Sequence, residues 1–185
     1  MPRHILFIQG GGEGVHDQWD NKLVESLRRE LGDGYEVQYP RMPDEADPHY
    51  AAWKQVVVAA LEGMRDGDVL VGHSVGGTAL LHVLAEVDVR FRPGALVLIA
   101  PPYIGEGGWP SDDMPAIEDF SQSLPEGIAV RFYHGDDDAT VPKGHMALYA
   151  RVIPGAVMRA LPGRDHQLNN DLSEVARDIR NGLAD

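Results

Sequence analysis

The chain has 185 residues, of which 43% are hydrophobic and 24% charged, and this length and composition predict one globular domain with a sizeable core. Its formal net charge of -13 at pH 7 argues against binding to nucleic acid or to an anionic membrane surface, since both repel a surface rich in carboxylates. The absence of cysteine excludes disulfides, cysteine nucleophiles and thiolate metal sites.

The first apolar run of the chain, Ile5–Ile8, is too short for the hydrophobic region of a secretory signal peptide. Elsewhere no apolar stretch approaches the roughly 20 residues that a membrane-spanning helix needs. The sequence therefore predicts a cytoplasmic protein that does not enter membranes.

Predicted strands and helices alternate along the chain. The strands are predicted at His4–Ile8, Tyr35–Tyr39, Val69–Gly72, Ala95–Ile99, Ile128–His134 and Ala156–Leu161. The helices are predicted at about Gln18–Leu31, Tyr50–Met64, Val75–Val87, Lys143–Val152 and Leu172–Leu183, with a further short helix at Asp113–Ser123. Because strands separated by helices form βαβ crossovers, the pattern predicts one α/β domain over residues 1–185, a mostly parallel sheet of about six strands with helices on both faces.

The third predicted strand runs into a serine flanked by glycines. Gly72, Ser74 and Gly76 form the pattern G-x-S-x-G at the junction between this strand and the next helix. This context predicts a nucleophile elbow, a tight turn that needs small neighbours and presents the serine side chain at the edge of the sheet. Taken alone, the segment also fits a glycine-rich turn in which Ser74 caps the helix.

Candidates for a base and an acid follow the last two predicted strands. A nucleophilic serine needs a base within hydrogen-bond reach, and the base needs an orienting acid. His166 follows the last strand and Asp138 the strand before it, so both belong to the carboxyl edge where α/β proteins bind ligands. The chain order Ser74, Asp138, His166 is that of α/β-hydrolases. Asp136 and Asp137 stay open as alternative acids.

Two loops also permit other kinds of site. The acidic triplet at 136–138 permits a cation site, although consecutive residues rarely all reach one metal. The glycines at positions 10, 11, 12 and 14 permit a dinucleotide loop, but G-x-G-x-x-G followed by a ribose-binding acid about 20 residues later is not evident. We predict neither a metal nor a cofactor.

Four segments carry a family resemblance. They are Gly72-His73-Ser74-Val75-Gly76; Gly135, Asp138, Val141 and Pro142 in the pattern G-x-x-D-x-x-V-P; Gly163 to His166 in the pattern G-x-x-H; and Trp19. With these segments the chain resembles the α/β-hydrolase superfamily over nearly its whole length, and within it the small capless serine hydrolases of the retinoblastoma-binding-protein and YdeN type. Gln9 stands where that family commonly has histidine, which leaves the conformation of the following loop open.

The resemblance implies roles for five residues. Ser74 is expected to be the nucleophile, His166 the general base and Asp138 the acid that orients the imidazole. The backbone N–H groups of Gly11 and Val75 are expected to form the oxyanion hole. The resemblance implies a small-molecule ester as the partner and no cofactor.

The loop after the fourth predicted strand limits the size of the substrate. Only 28 residues, 100–127, separate that strand from the fifth, which leaves no room for a large cap domain. Tyr103, Ile104 and Trp109 lie in this loop and are candidates for the substrate pocket. A shallow, open pocket favours small or short-chain esters.

Two other functions are compatible with the same fold. One is a protein-interaction module without catalysis; relatives have been linked to partner binding, but the absence of cysteine rules out an L-x-C-x-E motif. The other is an acyltransferase or perhydrolase that uses the same triad, a choice that depends on how the pocket excludes water.

Two further expectations concern titration and packing. His166 must be neutral to accept the serine proton, and the charge of Asp138 is expected to shift its pKa upward from roughly 6.5–7. Trp19, Trp53 and Tyr50 are predicted to pack against the core or a helix.

Overall fold

Six short apolar runs form one sheet in a computed structural model that describes residues 2–120 and 122–182. The strands are β1 (Arg3–Ile8), β2 (Tyr35–Gln38), β3 (Val69–His73), β4 (Ala95–Ile99), β5 (Val130–Gly135) and β6 (Val157–Leu161). Their order in the sheet is β2-β1-β3-β4-β5-β6, and every neighbouring pair is parallel. The loops that follow β1 and β3 therefore lie side by side at the carboxyl edge of the sheet.

Helices cover both faces of this sheet. They are α1 (Asp20–Leu31), α2 (Tyr50–Leu61), α3 (Ser74–Glu86), α4 (Gly144–Val152) and α5 (Ser173–Arg180), with a π-helical turn at Val15–Trp19 and 3₁₀ turns at Gly32–Gly34 and Leu168–Asn170. Because alternate strand residues point to opposite faces, Ile5 and Phe7 pack with α1 and α5, whereas Leu6 and Ile8 pack with α2, α3 and α4. The predicted α/β class and sheet are confirmed.

Most predicted elements differ from the observed ones only at their ends. The clearest case is α2, which stops at Leu61 instead of Met64 because the chain turns through Gly63. The predicted closing helix ends at Leu183, which lies outside the described residues.

The predicted helix at Asp113–Ser123 is wrong for the residues described there, which exclude Ser121. Pro115 has no N–H to donate and restricts the backbone of the residue before it to extended conformations. The carboxylate of Asp113 instead accepts the backbone N–H of Tyr50 at the start of α2. The segment therefore ties the loop after β4 to a neighbouring helix.

The packing predictions are confirmed for two of three aromatic residues and wrong for the third. Trp53 and Tyr50 are buried in the core, as predicted. Trp19 is 49% exposed, and the ammonium of Lys22 lies 5.2 Å from its ring centroid, so its prediction as a packed aromatic is wrong. In the described part of the chain, every helix falls short of the length and apolarity needed to cross a membrane.

Candidate active site

Ser74 lies on a sharp turn between β3 and α3. Its φ of 52° is in the left-handed region, which is uncommon for a residue other than glycine. A Cβ atom on Gly76 would lie 1.8 Å from the carbonyl oxygen of Gln9, and one on Gly72 would lie 2.5 Å from Cα of Gly77. Both glycines of the G-x-S-x-G pattern are therefore required by close backbone approach at the elbow.

Hydrogen bonds join the three residues predicted as a triad. Nε2 of His166 lies 3.0 Å from Oγ of Ser74, and its Nδ1 lies 2.8 Å from Oδ2 of Asp138. Because a carboxylate only accepts hydrogen bonds, Nδ1 carries the proton in this arrangement and Nε2 is free to accept one from the hydroxyl. The geometry can thus transfer a proton from Ser74 to His166.

Asp138 is held as an anion by the loop that follows β5. Its Oδ1 accepts the N–H groups of Thr140 and Val141, at 2.8 and 2.9 Å, and its Oδ2 lies 3.2 Å from Nε2 of His134. Burial opposes ionisation, but hydrogen bonds from His134, His166 and Val141 outweigh it and hold the pKa of Asp138 well below its usual range. The carboxylate is therefore charged at neutral pH.

The two neighbouring aspartates have different surroundings. Asp136 is exposed and lies 3.8 Å from Nζ of Lys143, and Asp137 is exposed as well. The side chain of Asp138 is fully buried. Of the three residues of the acidic triplet, Asp138 is the one that contacts His166.

The pKa of His166 shifts in the opposite direction from the sequence-based expectation. Burial lowers it by disfavouring the imidazolium, and the nearby His73 lowers it further, while the hydrogen bond and charge of Asp138 raise it. Burial prevails, so the pKa of His166 lies below the ordinary value for histidine. The upward shift expected from the Asp138 charge was wrong because the sequence does not show how deeply the ring is buried.

The loop after β1 brings the two residues predicted for the oxyanion hole together. A Cβ atom on Gly11 would lie 2.9 Å from Cγ1 of Val75 and 2.6 Å from Cγ of Pro48, so only glycine fits between them. Val75 lies in the first turn of α3, where backbone N–H groups have no acceptor within the helix. The two residues therefore lie side by side next to Ser74.

Gln9 fastens this loop to the segment that follows β2. Its side chain is fully buried; Oε1 accepts the N–H of Met42 at 3.0 Å, and Nε2 donates to Oε2 of Glu45 at 2.7 Å. The N–H of Gly12 donates to the carbonyl oxygen of Glu45. Gln9, which stands in place of the usual histidine, thus holds the two segments together by hydrogen bonds. Its partners lie 33 and 36 positions away, so the sequence pattern does not reveal these contacts.

Two buried residues next to the triad were not predicted as site residues. Nδ1 of His73 lies 2.9 Å from Oδ2 of Asp20, and its Nε2 lies 3.0 Å from the carbonyl oxygen of His166. The sequence signals were a histidine directly before Ser74 and an aspartate directly after Trp19, but neither pattern indicates that the two side chains meet.

The three predicted pocket residues are placed differently from one another. Tyr103 and Ile104 are buried in the core, and the ring of Tyr103 packs edge-on against Tyr149 with 5.2 Å between centroids. Trp109 is 37% exposed and its ring lies 5.7 Å from that of His145. Of the three, Trp109 is the one that is exposed to solvent.

A model of the alpha/beta hydrolase family matches residues 5–180 of the chain. YdeN of Bacillus subtilis (strain 168) is 24% identical over 100 residues, which cover 54% of this chain and 51% of YdeN. The matched region is thus about half the length of this curated relative.

Solved structures show the same fold. The ydeN gene product from B. subtilis has a TM-score of 0.78 at 18% identity, covering 99% of this chain and 100% of that one. XC6422 from Xanthomonas campestris, described as an a/b serine hydrolase without lid, has a TM-score of 0.70 at 22% identity, covering 98% and 81%. Est1E from Butyrivibrio proteoclasticus, solved with ferulic acid bound, has a TM-score of 0.71 at 16% identity, covering 98% and 88%. The fold matches α/β-hydrolases of the capless type.

Proposed function

Because the chain belongs to the alpha/beta hydrolase family, we propose that it is a serine hydrolase that cleaves small or short-chain carboxylic esters. The observation that carries the proposal is the hydrogen-bonded series from Asp138 through His166 to Ser74, with distances of 2.8 and 3.0 Å. Both distances are suitable for proton transfer during nucleophilic attack. The proposal takes residues 1–185 as one catalytic domain.

The reaction proceeds through an acyl-enzyme. Oγ of Ser74 attacks the ester carbonyl carbon while its proton passes to Nε2 of His166. The bond to the alcohol oxygen then breaks, and His166 gives that oxygen the proton. In the second half His166 takes a proton from water as the water oxygen attacks the acyl carbon, and the proton returns to Ser74 as the acid leaves. Asp138 holds Nδ1–H in place and stabilises the imidazolium in both halves.

Backbone N–H groups stabilise the charge that develops on the substrate oxygen. We assign this role to Gly11 and Val75, which lie side by side next to Ser74. The N-terminus of α3 adds partial positive charge at the same place. A donor of this kind typically contributes on the order of 10²–10³ in kcat.

The open surroundings of Ser74 favour water as the acyl acceptor and small esters as substrates. The described part of the segment between β4 and β5 forms no helical cap, and Ser74 itself is half-buried. We therefore expect the acyl group of the substrate to contact little apolar surface, and Trp109 stays the candidate for that contact.

The test of this proposal is a panel of esters that differ in acyl length. We expect turnover of p-nitrophenyl acetate and butyrate, and no rise in kcat/KM from butyrate to octanoate, because a shallow site gives a long chain no additional buried surface. Methyl ferulate adds an aromatic acid to the panel. Folded protein that turns over none of these esters would contradict the proposal and favour an interaction module. Acyl transfer to an added alcohol in preference to water would identify an acyltransferase.

The pH profile of kcat/KM is expected to show an acid limb below about pH 6.5, the usual value for histidine. Burial and the nearby His73 lower the pKa of His166, so its neutral form is present down to a lower pH than for an exposed imidazole. Activity is lost as the pH falls through this lowered pKa and His166 becomes charged. Rates with p-nitrophenyl acetate from about pH 4 to 9 measure the limb; a limb above about pH 7 would contradict the assignment.

A further inference from the structure

A buried pair beside the triad, Asp20 and His73, has no part in the proton transfers described above. His73 is the last residue of β3, directly before Ser74, and Asp20 is the first residue of α1. Both are buried, with 0% of Asp20 and 1% of His73 exposed. Burying two ionisable groups is costly unless they pair with each other. Because Oδ1 of Asp20 is buried without a hydrogen-bond partner among the described residues, the compensation comes through its Oδ2.

Both ring nitrogens of His73 face oxygen atoms. Nδ1 lies 2.9 Å from Oδ2 of Asp20, and Nε2 lies 3.0 Å from the carbonyl oxygen of His166. A carbonyl oxygen only accepts, so Nε2 must carry a proton. Oδ2 of Asp20 also accepts the N–H of Gly10 at 2.7 Å, so this oxygen acts as an acceptor toward both neighbours and Nδ1 carries a proton as well. His73 is then an imidazolium with Asp20 as its counter-ion.

The balance of electrostatic influences on His73 agrees with this assignment. Burial alone would lower its pKa, but the charge and hydrogen bond of Asp20 outweigh burial and raise it, helped by the carbonyl oxygen of His166 and the charge of Asp138. The titratable groups that face the ring are thus Asp20 from α1, Asp138 from the loop after β5 and His166 from the loop after β6.

The pair contacts three segments whose relative positions matter for the proposed reaction. Through Gly10 it holds the residue next to Gly11, through the backbone of His73 it adjoins Ser74, and through Nε2–H it holds the backbone of His166. The fit is tight, because a Cβ atom on Gly10 would lie 3.1 Å from Cβ of Ser74 and 3.2 Å from Nδ1 of His73. Displacement of the pair would move the base relative to the nucleophile.

We infer that Asp20 and His73 form a buried ion pair that positions the imidazole of His166 against Ser74 and the oxyanion loop. The two are positioning residues, and the inference rests on the proposed function. The rings of His73 and His166 lie with centroids 4.8 Å apart, so the positive charge of His73 also disfavours protonation of the resting base. The pair therefore keeps His166 both aligned and neutral.

The first experiment tests the ion pair without using activity. In ¹⁵N-labelled protein, imidazole NMR is expected to show one histidine with both nitrogens protonated from about pH 6 to 8, where an ordinary histidine loses a proton. Loss of this signal in His73→Gln assigns it to His73. A His73 with one unprotonated nitrogen in this range would overturn the inference, and this result does not depend on whether the protein cleaves esters.

The second experiment tests positioning. Asp20→Asn is expected to lower kcat by on the order of 10²-fold with little change in KM, because a small misplacement of the base has an effect of this size. The acid limb of kcat/KM should move to higher pH, since His73 loses its counter-ion and its charge, and that charge lowers the pKa of His166 by more than the charge of Asp20 raises it. The matched control is Asp68→Asn, a buried carboxylate before β3 that accepts the N–H groups of His4 and Arg65; it should leave kcat and the acid limb unchanged.

The outcomes of these experiments distinguish failure of the positioning inference from failure of the proposed function. If wild-type protein cleaves esters and folded Asp20→Asn keeps both kcat and the acid limb, the pair has no positioning role. If Asp20→Asn does not fold, His73→Gln gives the same comparison, since its amide retains one N–H donor for the carbonyl oxygen of His166. If wild-type protein cleaves no ester while the doubly protonated His73 is present, the proposed function fails and the ion pair stands.

Discussion

Replacement of Asp138 by asparagine is expected to lower kcat by about 10⁴-fold while the protein stays folded. Asparagine can turn its NH₂ group toward Nδ1 of His166, which then has to accept a hydrogen bond. The imidazole proton would then be on Nε2, and Nε2 could not accept the proton of Ser74. The substitution also removes the charge that stabilises the imidazolium formed during the reaction. Steady-state rates with p-nitrophenyl acetate, compared with circular dichroism of the same samples, measure the effect.

The neighbouring aspartates supply matched controls for this variant. Asp136→Asn and Asp137→Asn change the same chemical group in the same loop, but both side chains are exposed. Each should change kcat by far less, since Asp138 is the residue of this loop whose carboxylate contacts His166. Loss of turnover in Asp137→Asn with full activity in Asp138→Asn would move the acid to the neighbouring position and overturn the assignment.

Features that local sequence decides could be predicted, whereas features that depend on contacts between distant segments could not. Strands β1 and β4 were predicted to within a residue because alternation of apolar runs and turns is a local signal. The nucleophile elbow could be predicted for the same reason, since the glycines that permit it lie within two residues of Ser74. The order of the triad along the chain is likewise visible in the sequence.

Features set by contacts between distant segments were missed or given the wrong sign. The pairing of Asp20 with His73 spans 53 positions, and that of Gln9 with Glu45 spans 36. The lowered pKa of His166 depends on burial, which a charge count along the sequence does not include. The failure of the helix at Asp113–Ser123 involves Pro115 and the bond from Tyr50 to Asp113, a tertiary contact that replaces local helical bonding.

Removal of the Ser74 hydroxyl is expected to have the largest effect on turnover. Ser74→Ala should lower kcat by on the order of 10⁶-fold, because no acyl-enzyme can form and only the oxyanion groups and binding remain. The fold should persist, since alanine differs from serine by one oxygen atom and β-carbon geometry at φ 52° is the same for both. Ester hydrolysis and circular dichroism measure the two effects.

A fluorophosphonate probe tests the same hydroxyl by a direct chemical readout. Its phosphorus forms a bond to Oγ of the nucleophile as fluoride leaves, so mass spectrometry of digested wild-type protein should locate the added mass on the peptide that contains Ser74. The matched control is Ser111→Ala, which removes a serine from the loop after β4 whose Oγ accepts the N–H groups of Asp113 and Met114. Neither of these partners is a histidine that could activate Ser111. This variant should therefore be labelled like wild type. Equal labelling of Ser74→Ala and wild type would show that another residue is the nucleophile.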